Sequence, residues 1–178
     1  MEVAILSKIR YMKKIKKKET IILGADHAGF GVKEFIKKEL LKMNYPIEDV
    51  GTYNTTRVDY PDYAERVAVE VKMHKHRKGI LACGTGIGAS IAANKIPGIR
   101  AALVETVRDA KLSREHNDAN ILVVGGRPFN KEKVRKIIHL WLKSKFKGGR
   151  HKRRLEKIAR LERKYYNKMV EPYISGKG

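Results

Sequence analysis

Residues 79–90 read Gly79-Ile80-Leu81-Ala82-Cys83-Gly84-Thr85-Gly86-Ile87-Gly88-Ala89-Ser90, an apolar run followed by a glycine-rich loop and then small residues. The pattern predicts a buried strand, a tight loop and the first turn of a helix. A helix N-terminus presents free N–H groups and a positive dipole, so it favours an anion beside it. Cys83, the only cysteine of the chain, lies where such a helix end would favour its thiolate form.

The same alternation of strand and helix extends outward from this stretch. Short apolar runs predict five strands, at 20–24, 47–50, 79–83, 100–104 and 121–124. Apolar residues at helical spacing predict helices at 30–43, 63–73, 88–95, 107–115 and 131–146, and a basic helix follows from Arg150 to about Lys164. Nearly continuous apolar strands that alternate with helices are typical of a parallel sheet covered on both faces. The sequence therefore predicts an α/β protein, a three-layer α/β/α Rossmann-like sandwich of about five parallel strands with a basic C-terminal helix.

Ligands of such sheets bind beyond the carboxyl ends of the strands. Polar or reactive residues follow each of the five predicted strands: Asp26 and His27, then Thr52, then Cys83 to Gly88, then Glu105, and finally Arg127. We therefore expect the functional site at this edge of the sheet.

Two other interpretations of the glycine-rich loop stay open on these residues alone. A lone cysteine at the end of a core strand is more often a packing residue than a catalytic one. Residues 84–89 also fit the dinucleotide-binding pattern G-x-G-x-x-A. That pattern belongs after the first strand rather than the third, and 178 residues leave no room for the substrate domain of a dehydrogenase. A cradle for phosphate or another anion fits the loop better.

Charge divides the chain into a near-neutral middle and two basic ends. Residues 1–19 carry seven Lys or Arg against two acids, and residues 131–178 carry seventeen against four, within a net charge of +21. We expect a basic N-terminal extension at 1–19, one domain at 20–164 and a flexible tail at 165–178. The basic ends could make weak, nonspecific contact with nucleic acid, but a solvated surface is the favoured explanation because charge runs usually form solvated faces.

The cysteine content and the apolar runs bear on where the protein works. A single cysteine cannot form an intrachain disulfide, which fits a reducing cytoplasm. No run approaches the roughly 18–20 apolar residues that span a bilayer. The N-terminus is a poor signal peptide because its basic residues follow the apolar patch, and Met12 is an alternative start.

Five segments that occur in order carry a family resemblance: Gly24 to Gly29, Asp59 to Pro61, Cys83 to Gly88, Ser113 to Asn120, and Gly148 to Arg154. Over about residues 20–160 the chain resembles the ribose-5-phosphate isomerase B family, which also includes galactose-6-phosphate and allose-6-phosphate isomerases. The resemblance implies interconversion of an aldose phosphate and a ketose phosphate through an enediolate, with no metal or organic cofactor. Ribose 5-phosphate is the expected substrate, and a hexose 6-phosphate is the alternative.

The resemblance also implies a role for each matching residue. Cys83 is the base, Thr85 shuttles a proton between two sugar oxygens, and His116 is the acid that opens the sugar ring. Some relatives use a glutamate base instead, but Ala89 and Ser90 offer no carboxylate here. The remaining matching positions bind substrate, with the arginines on its phosphate: Asp26, His27, Tyr60, Gly84, Gly86, Ile87, Gly88, Asn117, Arg127, Arg150 and Arg154.

Each of these residues also has a structural explanation when it is taken alone. His116 would complement the dipole at the end of a helix, Asp26 would cap the helix that follows it, and Tyr60 would brace a turn. The family further implies a homodimer, or a dimer of dimers, whose active sites draw on both subunits. The alternative from another functional class is a noncatalytic module that binds phosphorylated ligands or nucleic acid through its basic ends.

Overall fold

The five apolar runs form one parallel sheet. The computed structural model describes residues 18–174, with side-chain surroundings through residue 166. The strands are β1 (Thr20–Ala25), β2 (Ile47–Asp49), β3 (Arg77–Cys83), β4 (Ala101–Leu103) and β5 (Ile121–Gly125). They lie in the order β2-β1-β3-β5-β4, and every neighbouring pair is parallel. Cys83 is level with Gly125 in the register, so the carboxyl ends of β3 and β5 lie side by side.

Six helices cover or flank this sheet: α1 (Phe30–Lys42), α2 (Tyr60–Met73), α3 (Ile87–Ala93), α4 (Val107–Asn117), α5 (Lys131–Lys143) and α6 (Arg150–Ile174). Successive strand residues alternate between the two faces, because side chains of a strand point to opposite sides. Leu23 packs under α1, α4 and α5, whereas Ile22 packs under α2 and α3. The predicted three-layer α/β/α sandwich is confirmed.

Three helix ends differ from the sequence-based prediction, and the other ends agree to within two residues. α2 begins at Tyr60 rather than at residue 63, because Pro61 is tolerated in a first turn, where no N–H partner is needed. α5 ends at Lys143 rather than at 146, because Ser144 adopts an extended conformation. α6 continues to Ile174 rather than ending near Lys164, since neither glycine nor proline occurs in residues 150–171.

Part of the predicted domain division lies beyond what the structure describes. Except for Lys18 and Glu19, the basic N-terminal extension falls outside the described residues, and so does the alternative start at Met12. The segment expected to be a flexible tail is helical from 165 to 174. Within residues 18–174, no helix combines the length and the apolar composition that a membrane crossing requires.

Glycines allow the loops after β1, β3 and β5 to approach one another closely. A Cβ atom on Gly29 would collide with the carbonyl oxygen of Ala82, and one on Gly126 would lie 2.9 Å from the carbonyl oxygen of Ala28 and 3.2 Å from that of Cys83. The backbones therefore pack against each other with no side chain between them. This close packing brings three loops together at the carboxyl edge, between the central strands.

Candidate active site

The loop after β3 places a backbone N–H group against the cysteine sulfur. Cys83 is buried at the end of the strand, and its Sγ accepts a hydrogen bond of 3.0 Å from the N–H of Gly86. Gly86 has a φ of +82°, a left-handed conformation that a side chain would strain, and it precedes the first turn of α3. The N–H of Ile87 donates to Thr85 Oγ1 at 3.3 Å. The thiol thus lies at the beginning of α3 with one amide donor on its sulfur, which is an arrangement that can stabilise negative charge.

The turn after β1 places a carboxylate and an imidazole beside that loop. Asp26 is buried, and its Oδ1 accepts the N–H of Gly29 at 2.7 Å just before α1 begins. The Nδ1 atom of His27 lies 3.1 Å from the carbonyl oxygen and 3.2 Å from the nitrogen of Val58, which fixes the ring against the segment before α2. Asp26 therefore bonds the residue before the first turn of α1 and accepts no N–H within that turn, so the expected helix cap is absent.

Tyr60 and Arg127 complete the residues found at this edge. A Cβ atom on Gly88 would lie 2.6 Å from Cζ and 2.9 Å from the hydroxyl oxygen of Tyr60, so the phenol ring lies directly on the first turn of α3. Arg127 follows β5 with an exposed side chain, and its backbone N–H donates to the carbonyl of Gly84 at 3.1 Å. We call this set the carboxyl-edge group: Asp26, His27, Tyr60, Cys83 to Gly88, and Arg127.

His116 and Asn117 lie at the opposite edge of the sheet. They form the last residues of α4, after which the chain turns directly into the amino end of β5. The side chain of Asn120 accepts the N–H of Arg100 at 2.7 Å, so this turn packs against the start of β4. A five-residue strand separates it from the carboxyl edge, or roughly 13 Å at about 3.3 Å per residue. One protomer therefore keeps His116 away from Cys83.

His151 lies against His116, and no role was predicted for His151 from the sequence. The two rings stack with centroids 4.1 Å apart and planes 9° from parallel, and His151 is only 7% exposed. Burial, helped by the nearby charges of Arg150 and Arg154, lowers the pKa of His151. His151 could have been found from its position inside the Gly148 to Arg154 segment, but its basic neighbours in that helix are typical of exposed residues.

The connection before α6 ties this cluster together. The N–H of Lys147 donates to the carbonyl of Glu115 at 3.0 Å, and its Nζ forms an ion pair with the Glu115 carboxylate at 2.8 Å. Arg150 and Arg154 follow with exposed side chains on the first turns of α6. We call this set the amino-edge group: His116, Asn117, Arg150, His151 and Arg154.

Two further polar residues that follow strands, Thr52 and Glu105, belong to neither edge group. Thr52 is buried beyond β2, and Glu105 is exposed beyond β4. Among the side chains that the structure describes, through residue 166, no three from His, Cys, Asp or Glu lie closely enough together to hold a metal ion.

Comparison with known proteins assigns the chain to a family. The sequence profile described as Ribose/Galactose Isomerase matches residues 21–158. Ribose-5-phosphate isomerase B of Escherichia coli is 43% identical over 144 residues, covering 81% of this chain and 97% of that protein. The structure of Clostridium thermocellum ribose-5-phosphate isomerase B superimposes with a TM-score of 0.80 at 47% identity, covering 82% of this chain and 99% of that one.

A further solved relative was captured with a sugar phosphate. Mycoplasma genitalium ribose-5-phosphate isomerase B with bound ribulose-5-phosphate is 40% identical, with a TM-score of 0.78, and the match covers 81% of this chain and 96% of that one. Residues 21–158, which the family profile matches, contain both edge groups and end in the first half of α6. This chain belongs to the ribose/galactose isomerase family of enzymes.

Proposed function

We propose that the protein interconverts ribose 5-phosphate and ribulose 5-phosphate, with Cys83 as the base. The observation that carries the proposal is the buried Cys83 sulfur, 3.0 Å from the N–H of Gly86 in the glycine-rich loop that begins α3. The relatives support it, since those of E. coli and C. thermocellum bear the name of this reaction. A hexose 6-phosphate remains the alternative substrate.

The proposed reaction moves protons and needs no redox partner. The Cys83 thiolate removes the proton on C2 of the open-chain aldose, and the electron pair forms a C1–C2 double bond as charge moves onto O1. The amides of the 84–88 loop stabilise this enediolate. Thr85 passes a proton from O2 to O1 through its hydroxyl, which both donates and accepts. Cys83 then returns its proton to C1, and C2 becomes the carbonyl of the ketose.

Ring opening and phosphate binding fall to the amino-edge group. His116 donates a proton to the ring oxygen O4 as the C1–O4 bond breaks, while the O1 hydroxyl loses its proton to water and C1 becomes the aldehyde carbon. Arg150 and Arg154 grip the phosphate dianion with planar guanidinium groups. These roles require that the amino-edge group of one subunit meets the carboxyl-edge group of another, because β5 separates them within a single chain.

We therefore propose a homodimer in which each active site is built by both subunits. Exposed apolar residues support it: Ile87 and Ile91 lie four apart on α3, and Ile158, Leu161 and Tyr165 repeat at helical spacing on α6. Single exposed apolar residues are ordinary, but contiguous apolar patches mark interfaces. Arg154 is one turn before Ile158 and shares its side of the helix.

The two apolar stripes would meet across the dimer. Because α3 starts at the end of the cysteine loop, a partner's α6 packed on Ile87 and Ile91 would place Arg154 beside that loop. The basic residues on the other side of α6 would stay in solvent: Lys152, Arg153, Lys157, Arg160, Arg163 and Lys164. That side supports a weak, nonspecific affinity for nucleic acid, which would fall steeply with added salt in a titration with duplex RNA.

The test is turnover of ribose 5-phosphate by purified, metal-free protein, compared with allose 6-phosphate and galactose 6-phosphate. We expect fast turnover of the pentose phosphate, and about a 10²- to 10⁴-fold loss of kcat in Cys83→Ser with inhibition by inorganic phosphate retained. Thr85→Ser is the matched conservative control for Thr85→Val, because only the valine variant loses the hydroxyl. Turnover of a hexose phosphate alone would change the substrate, and full activity of Cys83→Ser would remove Cys83 as the base.

A further inference from the structure

Two buried cations lie next to each other at the amino-terminal edge of the sheet, and the proposed reaction uses neither. Lys78 at the start of β3 is 9% exposed, and Arg114 on α4 is 6% exposed. Both lie over the indole ring of Trp141, with Lys78 Nζ 5.7 Å and Arg114 Cζ 5.4 Å from its centroid. Burial, together with the charge of Arg114, lowers the pKa of Lys78. Like charges this deep are costly unless anions compensate them.

The protein supplies only part of that compensation. Lys78 forms an ion pair with Glu19, whose side chain is 44% exposed. Arg114 Nη1 forms an ion pair with Asp118 at 2.9 Å and also donates to the carbonyl of Ala119 at 2.5 Å. The Nε atom of Arg114 is buried and has no hydrogen-bond partner in the described part of the chain. A buried donor without an acceptor is rare, because it has lost its hydrogen bonds to water and gained none in return.

A cavity of about 570 Å³ opens beside this pair. Three exposed lysines surround its mouth, Lys18, Lys143 and Lys145, whereas Glu19 and Asp118 are the two acids among its lining residues. Five lysine or arginine side chains therefore face two carboxylates. The volume lies within the range of small-molecule sites.

We propose that this cavity binds a small dianion of the phosphate or phosphate-monoester class, held by Lys78, Arg114 and the surrounding lysines. A guanidinium matches two oxygens of a phosphate, and lysines act as point charges around it. The inference does not depend on the isomerase proposal, because none of these residues belongs to either edge group.

The position of the cavity places its ligand next to the amino-edge group. Arg114 is two residues before His116 on α4. The lining segment 143–146 leads directly to Lys147, which is bonded to Glu115, and then to Arg150. A bound dianion would thus contact both segments that hold the stacked histidines.

Trp141 is the only tryptophan of the chain, so its fluorescence reports on this cavity. The experiment titrates the full-length protein with inorganic phosphate and, separately, with glycerol 3-phosphate, at constant ionic strength, by fluorescence and by calorimetry. We expect saturable binding that weakens about tenfold or more in Lys78→Gln, which loses a charged hydrogen bond, and severalfold in Lys145→Gln. Equal affinity for the two probes identifies free phosphate as sufficient, and tighter binding of the ester identifies a phosphate monoester.

Two variants separate this site from other cationic surfaces. Arg154→Ala removes a proposed substrate arginine, Lys157→Gln removes an exposed charge on α6, and both are expected to bind the probes at the cavity as the wild type does. The proposal is overturned if neither method detects saturable binding, if Lys78→Gln and Lys145→Gln bind unchanged, or if Arg154→Ala abolishes binding. Lys145 is exposed, so Lys145→Gln should fold normally, and its affinity for the probes tests the proposal even if Lys78→Gln fails to fold.

Discussion

Replacing Gly88 by alanine tests whether Tyr60 must lie on the first turn of α3. The new Cβ would stand 2.6 Å from Tyr60 Cζ and 2.9 Å from its hydroxyl oxygen, whereas ordinary contact begins near 3.4 Å. The partly exposed ring must therefore move by about 1 Å, and a displacement of that size can cost about 10²-fold in rate. Alanine also favours the helix by about 1 kcal/mol over glycine, which offsets the crowding. We expect kcat/KM to fall about 10- to 100-fold while the unfolding midpoint stays nearly unchanged.

A double-mutant cycle shows whether the loss acts through the phenol. Steady-state kinetics are measured for Gly88→Ala, Tyr60→Ala and the combined variant. If the only role of Gly88 is to leave space for the Tyr60 ring, Gly88→Ala should cause little further loss of kcat/KM in the Tyr60→Ala background. Gly31→Ala is the matched control, because it is an exposed helical glycine whose added Cβ meets no atom within 4 Å. An equal loss in the Tyr60→Ala background, or full activity of Gly88→Ala, would refute the reasoning.

Three further predictions concern stability. The pKa of His151 is lowered from the ordinary 6.5, so the free energy of unfolding should decline as the pH falls below 6.5 toward the pKa of the folded state. Urea unfolding at pH 7.5 and at pH 5.5 measures this decline, which should be smaller in His151→Gln than in the wild type. Burial alone would raise the pKa of Asp49, but hydrogen bonds from Lys33 and Lys37 lower it. Asp49→Asn should therefore lower the free energy of unfolding by about 3–5 kcal/mol at pH 7. The difference between the variant and the wild type should shrink below pH 3.8, because the wild-type carboxylate becomes protonated and loses its own stabilising contribution. Thr106→Ala removes one half of a capping box at the start of α4 and should cost about 1 kcal/mol in chemical denaturation, with Thr106→Ser nearly neutral.

The layers of the fold could be predicted because they follow from local pattern. Apolar runs of strand length and helical spacing predict the sheet and its covering helices, and the end of such a run places Cys83 at the carboxyl edge. The position of β5 between β3 and β4 could not be predicted in this way, since strand order depends on which faces pack together after the chain has folded. The length of α6 was underestimated because the tail shows no apolar face, although it contains few helix breakers.

The residues of the candidate site also differ in whether local sequence pattern could predict their positions. Residues next to strand ends could be placed from sequence alone, as Asp26 and Arg127 show. His151 could not, because its burial arises from stacking on His116, 35 positions earlier, in a helix whose composition is that of a solvated surface. The unpaired Nε of Arg114 is likewise a property of the packed structure and has no counterpart in the sequence.

The central claim is that one active site needs two chains, and subunit complementation tests it most directly. Cys83→Ser and His116→Asn are each expected to be nearly inactive on ribose 5-phosphate. In a mixed dimer with shared sites, one of the two sites combines an intact Cys83 with an intact His116. Random pairing at equal amounts makes half of the dimers mixed, so the activity should recover to about a quarter of the wild-type value. Mixed dimers that form but regain no activity would contradict the account, since each chain would then carry a complete site of its own.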